Sequence, residues 1–214
     1  MRSLLKVRVK NFLSLRDVEV DLQPLNVLVG PNAAGKSNFL DVIRFLGDAA
    51  REDLRPALVK RAGYESVRFR GEPTNGGRVE IHIEAVVTKH ATERARDSYT
   101  LRFWQPPPKV TSTRQILFRE EDVQFKRTAG RGRRITIQGK KFTLYDEAKT
   151  PMPPEALFQP ESLALSTLPR LAPERGGEQV GTIAELFSSF VVFDVNVEKA
   201  RMPSALQGGD LLAD

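Results

Sequence analysis

The 214-residue sequence contains no cysteine. Disulfides, thiolate nucleophiles and cysteine-ligated zinc are therefore excluded, and a reducing compartment such as the cytoplasm is expected. Histidine is almost as scarce: His82 and His90 are the only two, and their separation gives no metal-ligand spacing. No apolar run approaches the ~20 residues needed to cross a bilayer. Met1–Lys10 alternates basic and apolar residues instead of showing a charged stub followed by an apolar block. Neither a membrane partner nor a secretory leader is expected. No Ser-His-Asp triad or carboxylate pair stands out either, so hydrolytic chemistry of those kinds has no sequence support.

Hydrophobic residues (40%) and charged residues (28%) are balanced as in a globular chain, here long enough for one core with an appended sheet. The formal charge of +6 is local. Lys126–Lys141 holds seven Lys/Arg and no Asp or Glu, and the rest of the chain carries −1. Such a run either follows a nucleic-acid backbone or forms a solvated arginine-rich hairpin. Arg131, Arg133, Arg134 and Lys140 are its candidate phosphate contacts, and few aromatics interleave with them to stack on bases.

Periodicity divides the chain into three parts. In residues 1–65, Leu4–Lys10 and Arg16–Leu22 alternate with period two and predict an antiparallel hairpin. Leu25–Val29 is nearly all apolar and predicts a strand buried on both faces, as in the core of an α/β sheet. Lys36–Ala50 has helical spacing, and a second helix over Arg51–Arg61 is expected to break at Pro56. Residues 66–149 read as a mostly antiparallel sheet, with strands at Val79–Val87, Tyr99–Trp104, Gln115–Phe125, Arg134–Gln138 and Lys141–Tyr145. His82, alternating with Ile81 and Ile83, is expected to face solvent or an opposing sheet. Phe103 and Trp104 are expected to be core or lid residues and not a ligand platform. In residues 150–214, Thr150–Pro154 reads as a linker, Gln179–Phe190 as a helix, and the tail from Met202 has no strong pattern.

Between the apolar run and the helix lies Gly30-Pro31-Asn32-Ala33-Ala34-Gly35-Lys36-Ser37, which matches G-x-x-x-x-G-K-[ST] in the strand-then-helix context that gives the pattern meaning. Glycines let a loop wrap an anion with its backbone N–H groups, and the helix start adds roughly half a positive charge. Lys36 supplies a mobile ammonium for the β- and γ-phosphates, and the Ser37 hydroxyl is a ligand suited to Mg²⁺. The expected site is therefore Gly30, Pro31, Asn32, Ala33, Ala34, Gly35, Lys36, Ser37 and the following Asn38, with ATP and Mg²⁺ as ligands.

The run Lys10-Asn11-Phe12-Leu13-Ser14, followed by Asn26–Ser37 and Asn38-Phe39-Leu40-Asp41-Val42-Ile43, resembles the N-terminal lobe of RecF/SMC/OLD-type ATPases, of the ABC class and often described as AAA-type. The match covers about residues 4–50. Ala33 departs from it, standing where the family often has glycine. The resemblance implies an α/β P-loop fold of ABC-ATPase type with a mostly antiparallel β portion, here in incomplete form. It also implies DNA transactions or phage defence, and ATP sandwiched between two ATPase units. Partners expected on this basis are ATP, a second ATPase half or another copy of the chain, and DNA.

The resemblance further implies a glutamine loop, an LSGG-type signature and a Walker B run ending in Asp-Glu. Gly176-Gly177-Glu178-Gln179 followed by Phe190-Val191-Val192-Phe193-Asp194 is the only candidate for the last two. Glu174-Arg175 precede the glycines instead of Leu-Ser, and Val195 follows Asp194 instead of Glu, so Asp194 is at most a metal ligand. Thr167 stands where relatives often carry glutamine, and Gln159 is a substitute candidate. The expectation is an ATP-binding half whose hydrolysis needs a second half. The alternatives are a minimal nucleotide-binding module using Asp194, or a non-enzymatic DNA- or protein-binding piece with a vestigial loop.

Overall fold

Period-two alternation does what it predicts. In a computed structural model describing residues 2–106, 116–125, 132–145, 150–156, 162–168 and 177–193, the alternating segments pair into one antiparallel sheet. Its strands are β1 (Ser3–Phe12), β2 (Leu15–Asp21), β3 (Val79–Val86), β4 (Asp97–Trp104), β5 (Phe118–Gln124), β6 (Arg134–Gln138), β7 (Lys141–Tyr145) and β8 (Glu155–Ala156). The spatial order is β2-β1-β3-β4-β5-β6-β7-β8, so the N-terminal hairpin joins an otherwise sequential meander through the β1–β3 pairing. The helices are α1 (Lys36–Glu52), α2 (Leu54–Val59), α3 (Tyr64–Val67), α4 (Ala164–Thr167) and α5 (Gly177–Ser188).

One face of the sheet is apolar. Val7 and Val9, Ile81 and Ile83, Tyr99, Leu101 and Phe103 are buried there. Against them α1 sets Phe39, Val42, Phe45, Leu46 and Ala49, a stripe at helical spacing. Phe45 links the two layers, its ring 5.5 Å from both Phe12 and Phe103. Burying each such side chain stabilises the fold by about 1.5–3 kcal/mol. Helix α5 covers the same face further along, with Phe187 edge-on to Tyr99 at 5.4 Å. Its C-terminal carbonyls meet a cation from α1: Arg51 Nη1 donates to the carbonyls of Ser188 (2.8 Å) and Phe190 (3.3 Å). A methyl at Gly47 would lie 3.2 Å from the Phe187 carbonyl, so the small residue lets the helices approach.

The other face is open and charged, with opposite signs across neighbouring strands. Lys10 on β1 and Arg102 on β4 both pair with Glu80 on β3, Arg8 pairs with Asp17, Lys6 with Glu19, and Arg134 with Asp122. Burial works against the Glu80 carboxylate, yet Lys10 and Arg102 outweigh it and hold the pKa below the usual range. The more exposed pairs, such as Arg8 with Asp17, contribute about 0–1 kcal/mol each. His82 lies on this face, its Nδ1 2.8 Å from Thr100 Oγ1, in accord with the alternation.

Three expectations fail, each for a local reason. The helix break falls at Asp53 (φ 88°), not at Pro56, because Pro56 sits in the first turn of α2, where no N–H partner is lost. Thr150–Pro154 is not a free linker: Pro151 bridges Tyr145, the Met152 N–H donates to the Leu144 carbonyl, and β8 continues the sheet edge. Phe103 is core, and Trp104, on the other side of β4 by alternation, is half-buried and packs against the core cluster, as expected. The third failure concerns Leu25–Val29. It is not a strand, and Leu25, Val27 and Val29 are 82%, 77% and 89% exposed. A strand needs a ladder partner, and β2, the nearest edge, pairs with β1 alone among the described residues.

Candidate nucleotide site

The phosphate loop is positioned from both ends. Upstream, Asn26 closes a turn on Gln23, accepting from its N–H (2.9 Å) and donating to its carbonyl (2.6 Å). Downstream, the loop runs into α1 through Gly35, which takes a left-handed conformation (φ 89°). A side chain there would be strained and would also meet Leu15 at 3.2 Å and Ser14 at 3.3 Å, so position 35 requires glycine twice over. Ala33 also has positive φ (65°), which in alanine costs roughly 1–2 kcal/mol. That is the backbone reason a glycine would serve better at position 33.

Helix α1 begins bare. No side chain caps its first N–H groups and no acidic residue lies in its first turn. Side chains cap most helix starts; this one has no side-chain cap, the arrangement in which a helix start can hold an anion. The Lys36 side chain folds back over the loop, donating to the carbonyls of Gly30 (2.8 Å) and Pro31 (2.7 Å). Ala34 N–H turns inward to the Pro31 carbonyl at 3.3 Å. Donor set and backbone therefore fit a polyphosphate, and the Ser37 hydroxyl adjoins the same helix start as an oxygen ligand for Mg²⁺. Among the described residues, no cluster of three or more His, Cys, Asp or Glu side chains is arranged to hold a metal.

The hairpin tip braces this helix start. Asn38 Nδ2 donates to Ser14 Oγ at 2.6 Å. On the other side of the tip, Asn11 (φ 58°) donates to the carbonyls of Thr74 (2.6 Å) and Arg78 (2.8 Å) and accepts from the Thr74 N–H (2.9 Å). Asn11 and Ser14 belong to the turn that the hairpin pattern predicts and to the family-like run. Their structural role follows from the two-residue turn between β1 and β2, which sequence periodicity marks but does not orient.

At the far end of α1, Asp53 gathers three groups. Its carboxylate accepts from the N–H of Leu54 (2.7 Å) and of Leu163 (2.9 Å), and Ser166 Oγ lies 3.4 Å away. Beside it is a buried charged knot. Glu121 pairs with Arg119 at 3.1 Å, accepts from the Tyr99 hydroxyl at 2.8 Å, and accepts the Ala164 N–H on both oxygens at 2.9 Å. Arg119 also donates to the Ser162 carbonyl. Burial raises the Glu121 pKa, while Arg119, Ala164 and Tyr99 pull it down less strongly; burial also drives the Tyr99 phenol well up.

This anchoring places Thr167 away from the loop. Its hydroxyl donates to the Leu163 carbonyl at 2.9 Å, on a turn held to Asp53. The 17 residues of α1 separate that point from Lys36, roughly 25 Å at the helical rise. Thr167 is therefore out of reach of a phosphate at the loop. Gln159 and Asp194 lie outside the described residues, as does Arg131. Phe190 packs on Phe187 with rings 5.5 Å apart, but Val191 and Phe193 are exposed and form no strand. Arg134 is committed to Asp122, the Arg133 carbonyl accepts from Phe125 N–H at 2.8 Å, and Lys140 lies in the β6–β7 turn.

An antiparallel sheet packed on a helix that opens from a glycine-rich loop has the make-up of an ATPase domain. The chain belongs to the AAA ATPase domain family, whose model matches residues 3–127. Similar proteins include the DNA replication and repair protein RecF of Acidothermus cellulolyticus, 32% identical over 44% of this chain and 28% of that protein. The OLD nuclease of Thermus scotoductus is 32% identical over 40% of this chain and 15% of its own length. The DNA double-strand break repair Rad50 ATPase of Thermoplasma acidophilum is 35% identical over 40% of this chain and 10% of its own. The RecF/SMC/OLD-type resemblance is thus borne out, and the matched stretch spans less than a third of each relative.

Proposed function

We propose that this chain binds Mg-ATP at Gly30–Asn38 and contributes that site to an ATPase acting in DNA repair or a related DNA transaction. The observation that carries the reading is the uncapped, acid-free start of α1, next to a lysine held only by loop carbonyls. The backbone N–H groups at the loop–helix junction hold phosphate oxygens, and Lys36 exchanges the carbonyls of Gly30 and Pro31 for the β- and γ-phosphates. The Ser37 hydroxyl offers an oxygen to the cation. Mg-ATP, when bound, supplies the transferable phosphoryl group and the charge-neutralising metal.

A calorimetric titration tests the reading. Lys36→Ala is expected to weaken ATP binding roughly 10- to 100-fold, the value of a charge-assisted contact. Ser37→Ala is expected to lose the Mg²⁺ dependence while keeping metal-free binding. Affinity unchanged in both variants would overturn the proposal and favour a vestigial loop.

Hydrolysis by this chain alone is expected to be negligible, because the first turn of α1 carries no acidic residue and Val195 follows Asp194 where a water-polarising glutamate would stand. The bare apolar Leu25–Val29 supports completion by strands of a second ATPase half or another copy, since contiguous exposed apolar surface marks interaction sites. Steady-state turnover by the isolated chain at a rate typical of ATPases would remove this part of the proposal.

A further inference from the structure

Trp104, the chain's only tryptophan, lines a cleft of about 750 Å³ that the phosphate-loop reading leaves unused. The cleft opens between residues 64–78 and the end of β4. One wall is a column that crosses neighbouring strands. Phe118 stacks on Trp104 with centroids 5.6 Å apart and planes 14° apart, and the Arg78 guanidinium lies 4.1 Å from the Trp104 ring centroid. Tyr64 and Phe69 add further rings, and Arg68 is exposed among the lining residues. Opposite, Gly76 and Gly77 take positive φ (64° and 78°), and a methyl on Gly76 would meet nothing within 4 Å, so the backbone is bare. Asn11 fixes this loop in place through Thr74 and Arg78.

A π-column ended by a planar cation favours one more planar, electron-rich layer. Both cations are paired, Arg68 with Glu65 at 2.6 Å and Arg78 with Glu120 at 3.4 Å, but such partly exposed pairs are weak in water, and a phosphate beside that layer can take the place of either carboxylate. A base attached to phosphates has both features. The cleft has no glycine-lysine loop to gather a triphosphate; its cations are spread, as the phosphates of a strand are.

We propose that this cleft takes an unstacked base of a single-stranded nucleic acid, layered on the Arg78 guanidinium, with Arg68 and Arg78 facing the flanking phosphates. The site goes beyond the phosphate-loop reading and does not depend on it.

The sole tryptophan reports directly. The full chain is titrated with an oligothymidylate of about ten nucleotides, a length matched to single-strand sites, while Trp104 emission is followed. A saturable change is expected. Arg78→Lys keeps the charge but loses the plane, and is expected to weaken binding about tenfold with an unchanged far-UV spectrum. Lys36→Ala is expected to leave the titration as in wild type. Absence of a saturable change, or equal affinity in Arg78→Lys, overturns the proposal. So does an inert oligonucleotide alongside an ATP-induced change that Lys36→Ala abolishes, because the cleft would then serve the base of loop-bound nucleotide.

Discussion

Val7–Val9 of β1 and Val27–Val29 each hold two valines spaced two apart, with Arg8 between the first pair and Leu28 between the second; about 20 residues separate them in the chain, and their fates are opposite. Val7 and Val9 are fully buried between β2, β3 and α1, whereas Val27 and Val29 stand in solvent. Composition made both candidates for the interior; neighbours decided. β1 has partners on both edges, and Leu25–Val29 has none among the described strands. Apolar character is therefore a request for a partner, answered within the described residues in one case and not in the other.

Substitutions that challenge this contrast differ widely in expected effect. The largest is at the sheet's buried charge. Glu121→Ala leaves the Tyr99 hydroxyl, the Ala164 N–H and Arg119 buried without their acceptor and is expected to cost about 3–5 kcal/mol in urea unfolding. A loss near zero would mean that water enters the knot. Next, Ile81→Ala on β3, fully buried, is expected to cost about 2–5 kcal/mol by the same measurement.

Titration gives a smaller, signed effect. Burial opposes the Asp48 carboxylate, but the Arg61 and Arg51 guanidiniums dominate and hold its pKa below 3.8. Its stabilisation is therefore present above pH 3.8 and is lost as pH falls through the lower folded value. Glu121 has the opposite sign: with its folded pKa above 4.5, it favours the fold most at low pH and less as pH rises through that value. Asp48→Asn is expected to flatten the acid limb of a stability–pH curve, and an unchanged limb would refute the assignment. The smallest effect is Val27→Ser, expected within about 0.5 kcal/mol. A cost resembling that of Ile81→Ala would show the segment to be covered in solution, and the contrast with β1 would collapse.

Legibility in the sequence followed the same division. Strands β1 to β7 were readable because alternation is a local signal that one buried face imposes. The G-x-x-x-x-G-K-S loop and the helix after it were readable because the residue types state their chemistry. The state of Leu25–Val29 was not, since burial there depends on chain elsewhere. The Asn11 and Asp53 tethers were hidden too: each joins residues more than sixty positions apart, and nothing at either end announces the other. The Tyr64–Trp104 cleft assembles from separate segments in the same way.

The Asp53 carboxylate also bears on how the chain is made. Its bond to the Leu163 amide spans 110 residues. At a synthesis rate of about 5–20 residues per second, the ribosome delivers that amide roughly 5–20 seconds after Asp53 itself. The helix that opens from the phosphate loop thus acquires its far anchor well after its own residues are made. A pause in translation between these positions would lengthen the interval in which the nascent helix has its start in place but not its end.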